Sequence, residues 1–253
     1  MDKQALYQAI FRRKAVRKYV QTPLKQEKID ALMQAIEGFT PINSKEGIAF
    51  RVLKSEQLKG IMPVKTPQFL AVYANATDRG QINAAFMLQQ ADLWLSIQGM
   101  GSCWVGMPNP TREVAQVNGL SYCIALAFGE ALEPTTRDPK DAKRKSLSEV
   151  TDRTDLAQLL EPARLAPSAV NRQPWYFTVK DKEILVFAKK TNPIAGAVFG
   201  DMPRFDLGIV LCHLWLSAMQ EKMFDRIEWA DTKANAPQGY RPVANVCLTR
   251  ELG

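Results

Sequence analysis

Histidine is almost absent from this chain, since His213 is the one histidine among 253 residues. A Ser-His-Asp triad and a histidine-based metal cluster are therefore disfavoured, because both need imidazole nitrogens. His213 itself lies in an apolar helical pattern, IVLCHLWLSAM. We predict a packed histidine with satisfied hydrogen bonds, and no resident metal ion.

Cysteine is scarce as well. The four cysteines are widely spaced and none forms a CxxC pair: Cys103, Cys123, Cys212 and Cys247. This spacing disfavours disulfides and a zinc site, and it fits reduced, buried thiols. No apolar run approaches the roughly 18 residues of a membrane helix, and the N-terminus lacks the apolar segment of a signal peptide. We therefore expect a cytoplasmic protein that does not enter a membrane.

Basic residues are in excess, with a net charge of +7 and a pI of about 9.2. Such a chain can bind nucleic acid, an anionic membrane surface or a phosphorylated ligand. Two basic clusters stand out, at residues 12–18 and 143–145. Neither is interleaved with aromatic residues, as single-strand-binding surfaces usually are. A solvated surface is the simplest interpretation of both clusters, and we predict no nucleic-acid partner.

Apolar periodicity and turn residues predict an α+β fold. Helices are predicted over residues 3–11, 24–36, 81–100, 155–165 and 204–223. Strands are predicted at the end of 41–53 and over 66–76, 120–129, 176–180, 184–188 and 243–248. Thr22 and Pro23 are typical of an N-cap and a first-turn proline, and residues 102–110 of a loop.

The two long helical segments share the sequence LWLS, at Leu93–Ser96 and Leu214–Ser217. Each is preceded by a helix, a proline-containing loop and an F-x-V strand. Together these matches predict two related halves, residues 1–150 and 151–253. We expect the halves to pack as one unit, a pseudo-dimer within one chain, with the two long helices at its centre.

The most distinctive stretch is APSAVNRQPWYF, residues 166–177. Pro167 and Pro174 forbid a continuous helix, and polar side chains between them can hydrogen-bond a ligand. A loop whose polar groups satisfy its own backbone is the alternative. The pattern APSAxNxQPWxF resembles the flavin loop of the nitroreductase family. The resemblance implies that Pro167, Ser168, Asn171 and Gln173 contact FMN.

Three further segments resemble motifs of the same family. RRKAVRKY (12–19) resembles its N-terminal RRSVRKF motif, which implies Arg13, Lys14 and Ala15 near the phosphate and ribityl chain, and Arg17 near the pyrimidine edge. Ala15 replaces a serine there. GSCWVGM (101–107) resembles the GxxCWxG loop, which implies Val105, Gly106 and Met107 beside the flavin N5. KRKSLSEV (143–150) resembles a C-terminal segment whose arginine, here Arg144, closes over the phosphate.

The first half keeps three of these motifs, but its own loop, TPINSKEGIAF, has lost the family pattern. The second half keeps the loop alone. Family members build each flavin site from two subunits, so the resemblance implies one complete FMN site in this chain, with the loop reaching across from the second half.

The resemblance further implies a nitroreductase-like α+β fold and hydride transfer from NADH or NADPH, through FMN, to a nitroaromatic, quinone or similar small acceptor. No side chain need act as a nucleophile. We expect a monomer, since one chain supplies both halves. The alternatives are a relative with dehalogenase-type chemistry, a non-catalytic flavin-binding or flavin-sensing protein, and a basic nucleic-acid-binding protein without flavin.

Overall fold

The computed structural model describes residues 1–62, 64–190, 202–231, 233 and 235–252. Five α-helices lie in this part of the chain: α1 Lys3–Arg12, α2 Gln26–Glu37, α3 Asp78–Ile97, α4 Ala157–Arg164 and α5 Met202–Gln220. None of the helices described combines the length and apolar character that crossing a membrane requires.

The strands form two separate antiparallel sheets. The first sheet uses β1 Ile48–Lys54, β3 Gln68–Ala74, β4 Gly101–Val105, β6 Gln116–Val117 and β7 Leu120–Gly129. The second uses β8 Trp175–Lys180, β9 Glu183–Lys189, β10 Phe224–Trp229 and β11 Tyr240–Leu248. Two short strands, β2 Leu58–Lys59 and β5 Asn109–Pro110, pair with each other.

Both sheets have the same strand order. The first reads β1-β3-β7-β4 and the second reads β8-β9-β11-β10, so in each case the strand that follows the long helix lies at the edge. Each long helix also follows the second main strand of its sheet. The shared order, strand by strand, supports the internal duplication predicted from the LWLS repeat.

The two long helices pack against each other at the centre, as predicted. Their contacts advance in the same order along both helices: Arg204 pairs with Asp78 at 2.8 Å, and His213 lies 3.2 Å from Gln89. Between them, Gly208 lies so close to α3 that a side chain there would meet its backbone. Both helices are buried on most sides, because α3 packs on the first sheet, α5 packs on the second, and the two helices pack on each other.

Two local predictions are wrong, and one strand was missed. The second helix begins at Gln26 with Lys25 at the N-cap position, so neither Thr22 nor Pro23 starts it. Residues 101–105 form β4, because each of them pairs with β7. The edge strand β10, Phe224–Trp229, was not predicted.

Candidate functional site

The loop before β8 has an unusual backbone. Val170, Asn171 and Gln173 all have positive φ angles, of 45°, 58° and 49°. Its turn is closed by two bonds to Ser168, whose carbonyl oxygen accepts from Asn171 N at 3.0 Å and whose Oγ accepts from Gln173 N at 2.9 Å. Pro167, half-buried, lies just before this turn. The predicted break in helical structure is confirmed.

The basic segment 143–145 docks onto this loop. Arg144 Nη1 donates to Asn171 Oδ1 at 2.8 Å, and Asn171 Nδ2 donates to Lys143 O at 2.7 Å. Lys145 N donates to Gln173 Oε1 at 2.8 Å. The structure therefore brings together Arg144, Asn171 and Gln173, which come from widely separated motifs. A solvated surface is therefore the wrong interpretation for Arg144 of the 143–145 cluster, because its side chain hydrogen-bonds the loop.

Arg13 lies in a buried polar network rather than at the surface. Its Nε is 2.9 Å from Asp92 Oδ2, an ion pair whose geometry lacks the alignment of a hydrogen bond. Ser102 Oγ donates to the other Asp92 oxygen at 2.5 Å. Gln89 Nε2 donates to Asp92 Oδ2 at 3.2 Å. Because both charges of the pair are buried, each depends on the other for compensation.

His213 extends this network across the two long helices. Its Nδ1 is 2.8 Å from Pro162 O, and its Nε2 is 3.2 Å from Gln89 Nε2. Burial, with smaller contributions from the charges of Arg13 and neighbouring arginines, lowers the pKa of His213 to about 3, against the opposing effect of the bond to Pro162 O. The imidazole is therefore neutral, with the proton on Nδ1 and Nε2 accepting from the amide. The prediction of a satisfied, packed histidine is confirmed.

A further arginine, which the sequence did not single out, lies in the same region. Arg137 Nε donates to Arg13 O at 2.9 Å, while its buried Nη2 has no hydrogen-bond partner among the described residues. Burial and, to a lesser extent, the charge of Arg13 lower the pKa of Arg137 to about 10, against a smaller opposing effect of Asp141. Burial likewise lowers the pKa of Arg144 to about 10, with Arg137 and Arg13 adding to the effect. Three guanidinium groups thus repel one another, an arrangement that an anion would stabilise.

The rest of the N-terminal motif begins beside β4 and then runs past Glu133. Ala15 forms a bridge with Ser102, next to the residues of the buried network. The backbone N–H groups of Arg17 and Lys18 donate to Glu133 Oε1, at 2.5 and 3.2 Å, and these bonds lower the pKa of that carboxyl group. The side chains of Lys14 and Arg17 make no hydrogen bond or ion pair with other described residues. Both remain available to a ligand.

The end of β4 holds the last predicted residues. Val105 is buried, whereas Gly106 and Met107 are exposed, the latter by 48%. Trp104 Nε1 donates to Gln89 Oε1 at 3.2 Å, and Cys103 is buried, as predicted for the cysteines. In the part of the chain described, no hydrogen bond joins residues 105–107 to the loop at 168–173. A cavity of about 250 Å³ is lined by none of the predicted residues.

Asp206, on α5, is another residue that the sequence did not reveal. Its Oδ1 accepts from Ala169 N at 2.8 Å, and the side chain is almost fully buried. Burial raises the pKa of Asp206 to about 7, against the smaller opposing effects of the Ala169 bond and the charge of Arg172. A buried carboxyl group with this pKa makes stability depend on pH.

We expect the contribution of Asp206 to the free energy of unfolding to fall as the pH rises from about 4 to about 7. Over this range the native Asp206 holds a proton that the unfolded chain has lost, so the penalty for ionising it is complete above pH 7. At pH 8, the free energy of unfolding of Asp206→Asn should therefore exceed that of the wild type by up to about 4 kcal/mol, at 1.36 kcal/mol per pKa unit. Urea unfolding of both proteins at pH 5 and 8 measures the difference. A gap of equal size at both pH values would contradict the assignment.

Comparisons with known proteins agree with this architecture. A model of the family described as "Putative TM nitroreductase" matches residues 5–218. No curated protein sequence matches significantly. A crystal structure from Thermotoga maritima MSB8, described as a "putative nitroreductase", has a TM-score of 0.65 at 20% identity and covers 96% of this chain and 93% of its own.

Two other solved structures match over about half of this chain. A nitroreductase family protein from Clostridium difficile 630 has a TM-score of 0.46 at 16% identity, covering 57% of this chain and 94% of its own. An FMN-dependent nitroreductase from Clostridium difficile R20291 has a TM-score of 0.43 at 20% identity, covering 53% and 93%. The Thermotoga likeness shows a shared α+β nitroreductase-like fold. Since the family model spans most of the sequence, the chain belongs to the family described as "Putative TM nitroreductase".

Proposed function

We propose that this protein is an FMN-dependent oxidoreductase that takes hydride from NADH or NADPH and passes it to a nitroaromatic, a quinone or a similar small acceptor. The observation that carries the proposal is the bond between Arg144 and Asn171. These residues belong to two separate motifs of the flavin site, and they meet across the two halves as a site built from both would require. Family membership supports the same chemistry.

The arginine cluster fits the phosphate of FMN. A phosphate monoester carries up to two negative charges and accepts several hydrogen bonds, which guanidinium groups donate in a fixed fork. Arg137 and Arg144 would hold it, because Arg137 Nη2 is buried without a hydrogen-bond partner among the described residues. Asp141 offsets part of the Arg137 charge, but neither arginine forms a direct ion pair with a carboxylate in the described part of the chain. Arg13 forms an ion pair with Asp92, so it would contribute less to phosphate binding.

When bound, FMN would supply reversible hydride acceptance at its N5 atom. Lys14 and Arg17 would lie along the ribityl chain and the pyrimidine edge, where positive charge favours the reduced form. Gly106, exposed at the end of β4, would allow a backbone approach that a larger residue obstructs. Ser168, Asn171 and Gln173 would line the opposite side. The protein thus contributes positioning and electrostatics.

We propose a single FMN site in each chain, and one chain as the functional unit, with halves at 1–150 and 151–253. In the first half, the region equivalent to the flavin loop is held by neutral side chains of α3. Asn83 Oδ1 accepts from Ile42 N at 2.7 Å, and Gln90 exchanges two hydrogen bonds with Thr40. No arginine docks there as Arg144 docks on Asn171, among the residues described.

Extraction and quantitation of flavin from the purified protein test this proposal. We expect close to one FMN per chain, together with NADH or NADPH oxidation that depends on an added quinone or nitroaromatic. Two FMN per chain would contradict the single site, and none at saturating FMN would contradict the proposed function. Flavin binding without oxidation of either nucleotide would favour a flavin-binding or flavin-sensing protein.

A further inference from the structure

The loop that would face the flavin is held in an unfavourable conformation. Val170 is β-branched, has φ 45° and ψ 28°, and is 75% exposed, so packing does not compensate for its backbone. Left-handed backbone at a β-branched residue is a genuine outlier, and such residues persist when surrounding contacts fix them. The contacts that flank Val170 therefore decide whether the loop keeps this shape.

Asp206 supplies the contact on the N-terminal side of Val170. Its Oδ1 accepts from Ala169 N at 2.8 Å, and the carboxyl group is 4% exposed on α5, one of the two central helices. On the C-terminal side, Asn171 is held by Arg144 and Lys143 O. The strained residue is thus fixed from both sides, by a helix of the second half and by the segment that ends the first.

The first half contains the same contact without the strain. Phe177 follows Phe50 by 127 positions, and the same offset relates Ala169 to Ile42. Ile42 N donates to Asn83 Oδ1 at 2.7 Å. Asn83 lies ten residues before its LWLS motif and Asp206 lies eight before its own, so the two acceptors come from neighbouring turns of related helices and not from the same position. No residue of the first-half loop has a positive φ. One backbone N–H is therefore anchored to the long helix in both halves, by an amide in one and a carboxyl group in the other.

We propose that Asp206 is a positioning residue for the flavin site. Through Ala169 N–H it holds residues 168–173 in the left-handed turn that presents Ser168, Asn171 and Gln173 to FMN. This inference rests on the proposed function. It predicts that an acceptor at position 206 matters for flavin affinity, whereas the equivalent acceptor at Asn83 does not.

The test compares four variants with the wild type: Asp206→Ala, Asp206→Asn, Asn83→Ala and the double variant Asp206→Ala with Val170→Gly. FMN affinity is measured by quenching of flavin fluorescence, and amide hydrogen exchange at residues 168–173 is measured without flavin. We expect Asp206→Ala to weaken FMN binding about tenfold and to speed exchange at Ala169 and Gln173. Asp206→Asn should restore both, because an amide oxygen accepts the same bond.

Asn83→Ala serves as the matched control, and it should leave FMN affinity unchanged even where it lowers thermal stability. Adding Val170→Gly to Asp206→Ala should recover much of the affinity, since glycine adopts the left-handed backbone without strain. Unchanged exchange and unchanged affinity in Asp206→Ala would overturn the inference, as would equal losses in Asp206→Ala and Asn83→Ala. If the wild type binds no FMN, the proposed function fails, and exchange at residues 168–173 still decides whether Asp206 holds the loop.

Discussion

Replacing Gly208 by alanine should destabilise the protein by 3 kcal/mol or more, an effect at or beyond the upper end of overpacking substitutions. A Cβ atom at this position would lie 2.2 Å from Ile82 O, 2.6 Å from Ala85 Cβ and 2.8 Å from Phe86 N. Two of these atoms belong to the backbone of α3, so no side-chain rotation relieves the clash. The two long helices would have to separate, and this separation would disrupt the packing of the core that both sheets share. Urea unfolding and the yield of soluble protein measure the loss.

Gly38→Ala is the control for this experiment. Gly38 ends α2 with φ −89°, and a Cβ there would lie no closer than 3.4 Å to its neighbours. We expect its stability to remain within about 0.5 kcal/mol of the wild type. If Gly208→Ala changes the stability as little as this control, the close packing of α3 against α5 at Gly208 is contradicted.

The long helices could be predicted because their apolar residues recur on all faces, and the shared LWLS indicated that they are related. The importance of Gly208 could not be predicted. A glycine within a helix usually lowers confidence in that helix, and its role becomes apparent only when α3 is known to cross at that position.

The edge strands β4 and β10 were missed for a different reason. Residues 101–105 begin with glycine and serine and run into a proline-containing segment, so local sequence favours a loop. They form β4 because pairing with β7 determines their conformation. The charges of β10 suit an edge strand, and its partly alternating pattern was a signal that could have been used.

In the site, the family resemblance assigned Arg144 and Asn171 to one flavin site, and the two side chains hydrogen-bond each other in the structure. The motifs did not predict Asp92, the buried partner of Arg13. Nor did they predict Arg137, which lies in a polar linker where a single arginine resembles any surface residue. Its burial and its bond to Arg13 O depend on how that linker lies against the N-terminal segment, and local sequence does not encode that arrangement.

Removing Arg137 and Arg144 together should abolish most FMN binding. Charge-assisted hydrogen bonds contribute roughly 1.5–3 kcal/mol each. Replacing either arginine alone by alanine should therefore lower FMN affinity about tenfold or more. The double variant should lose FMN affinity by on the order of a hundredfold or more. The effects of the two substitutions should not be strictly additive, because the two guanidinium groups repel each other. Riboflavin, which lacks the phosphate, should bind Arg137→Ala with an affinity close to that of the wild type, whereas Arg144→Ala also removes the bond to Asn171 and should weaken riboflavin binding as well. Fluorescence titration with both flavins gives the comparison.

Arg137→Ala should affect stability in the opposite direction to binding. Without flavin, the charge of the half-buried Arg137 is disfavoured by partial burial and by Arg13, as the lowered pKa indicates, so its removal should leave the melting temperature unchanged or raise it. Arg226→Ala, at an exposed position on β10, removes the same formal charge and should change neither FMN affinity nor the ratio of FMN to riboflavin affinity. A substitution that lowers FMN affinity while preserving the apo protein acts through the ligand. Equal losses for FMN and riboflavin in Arg137→Ala would instead mean that this arginine supports the fold and binds no phosphate.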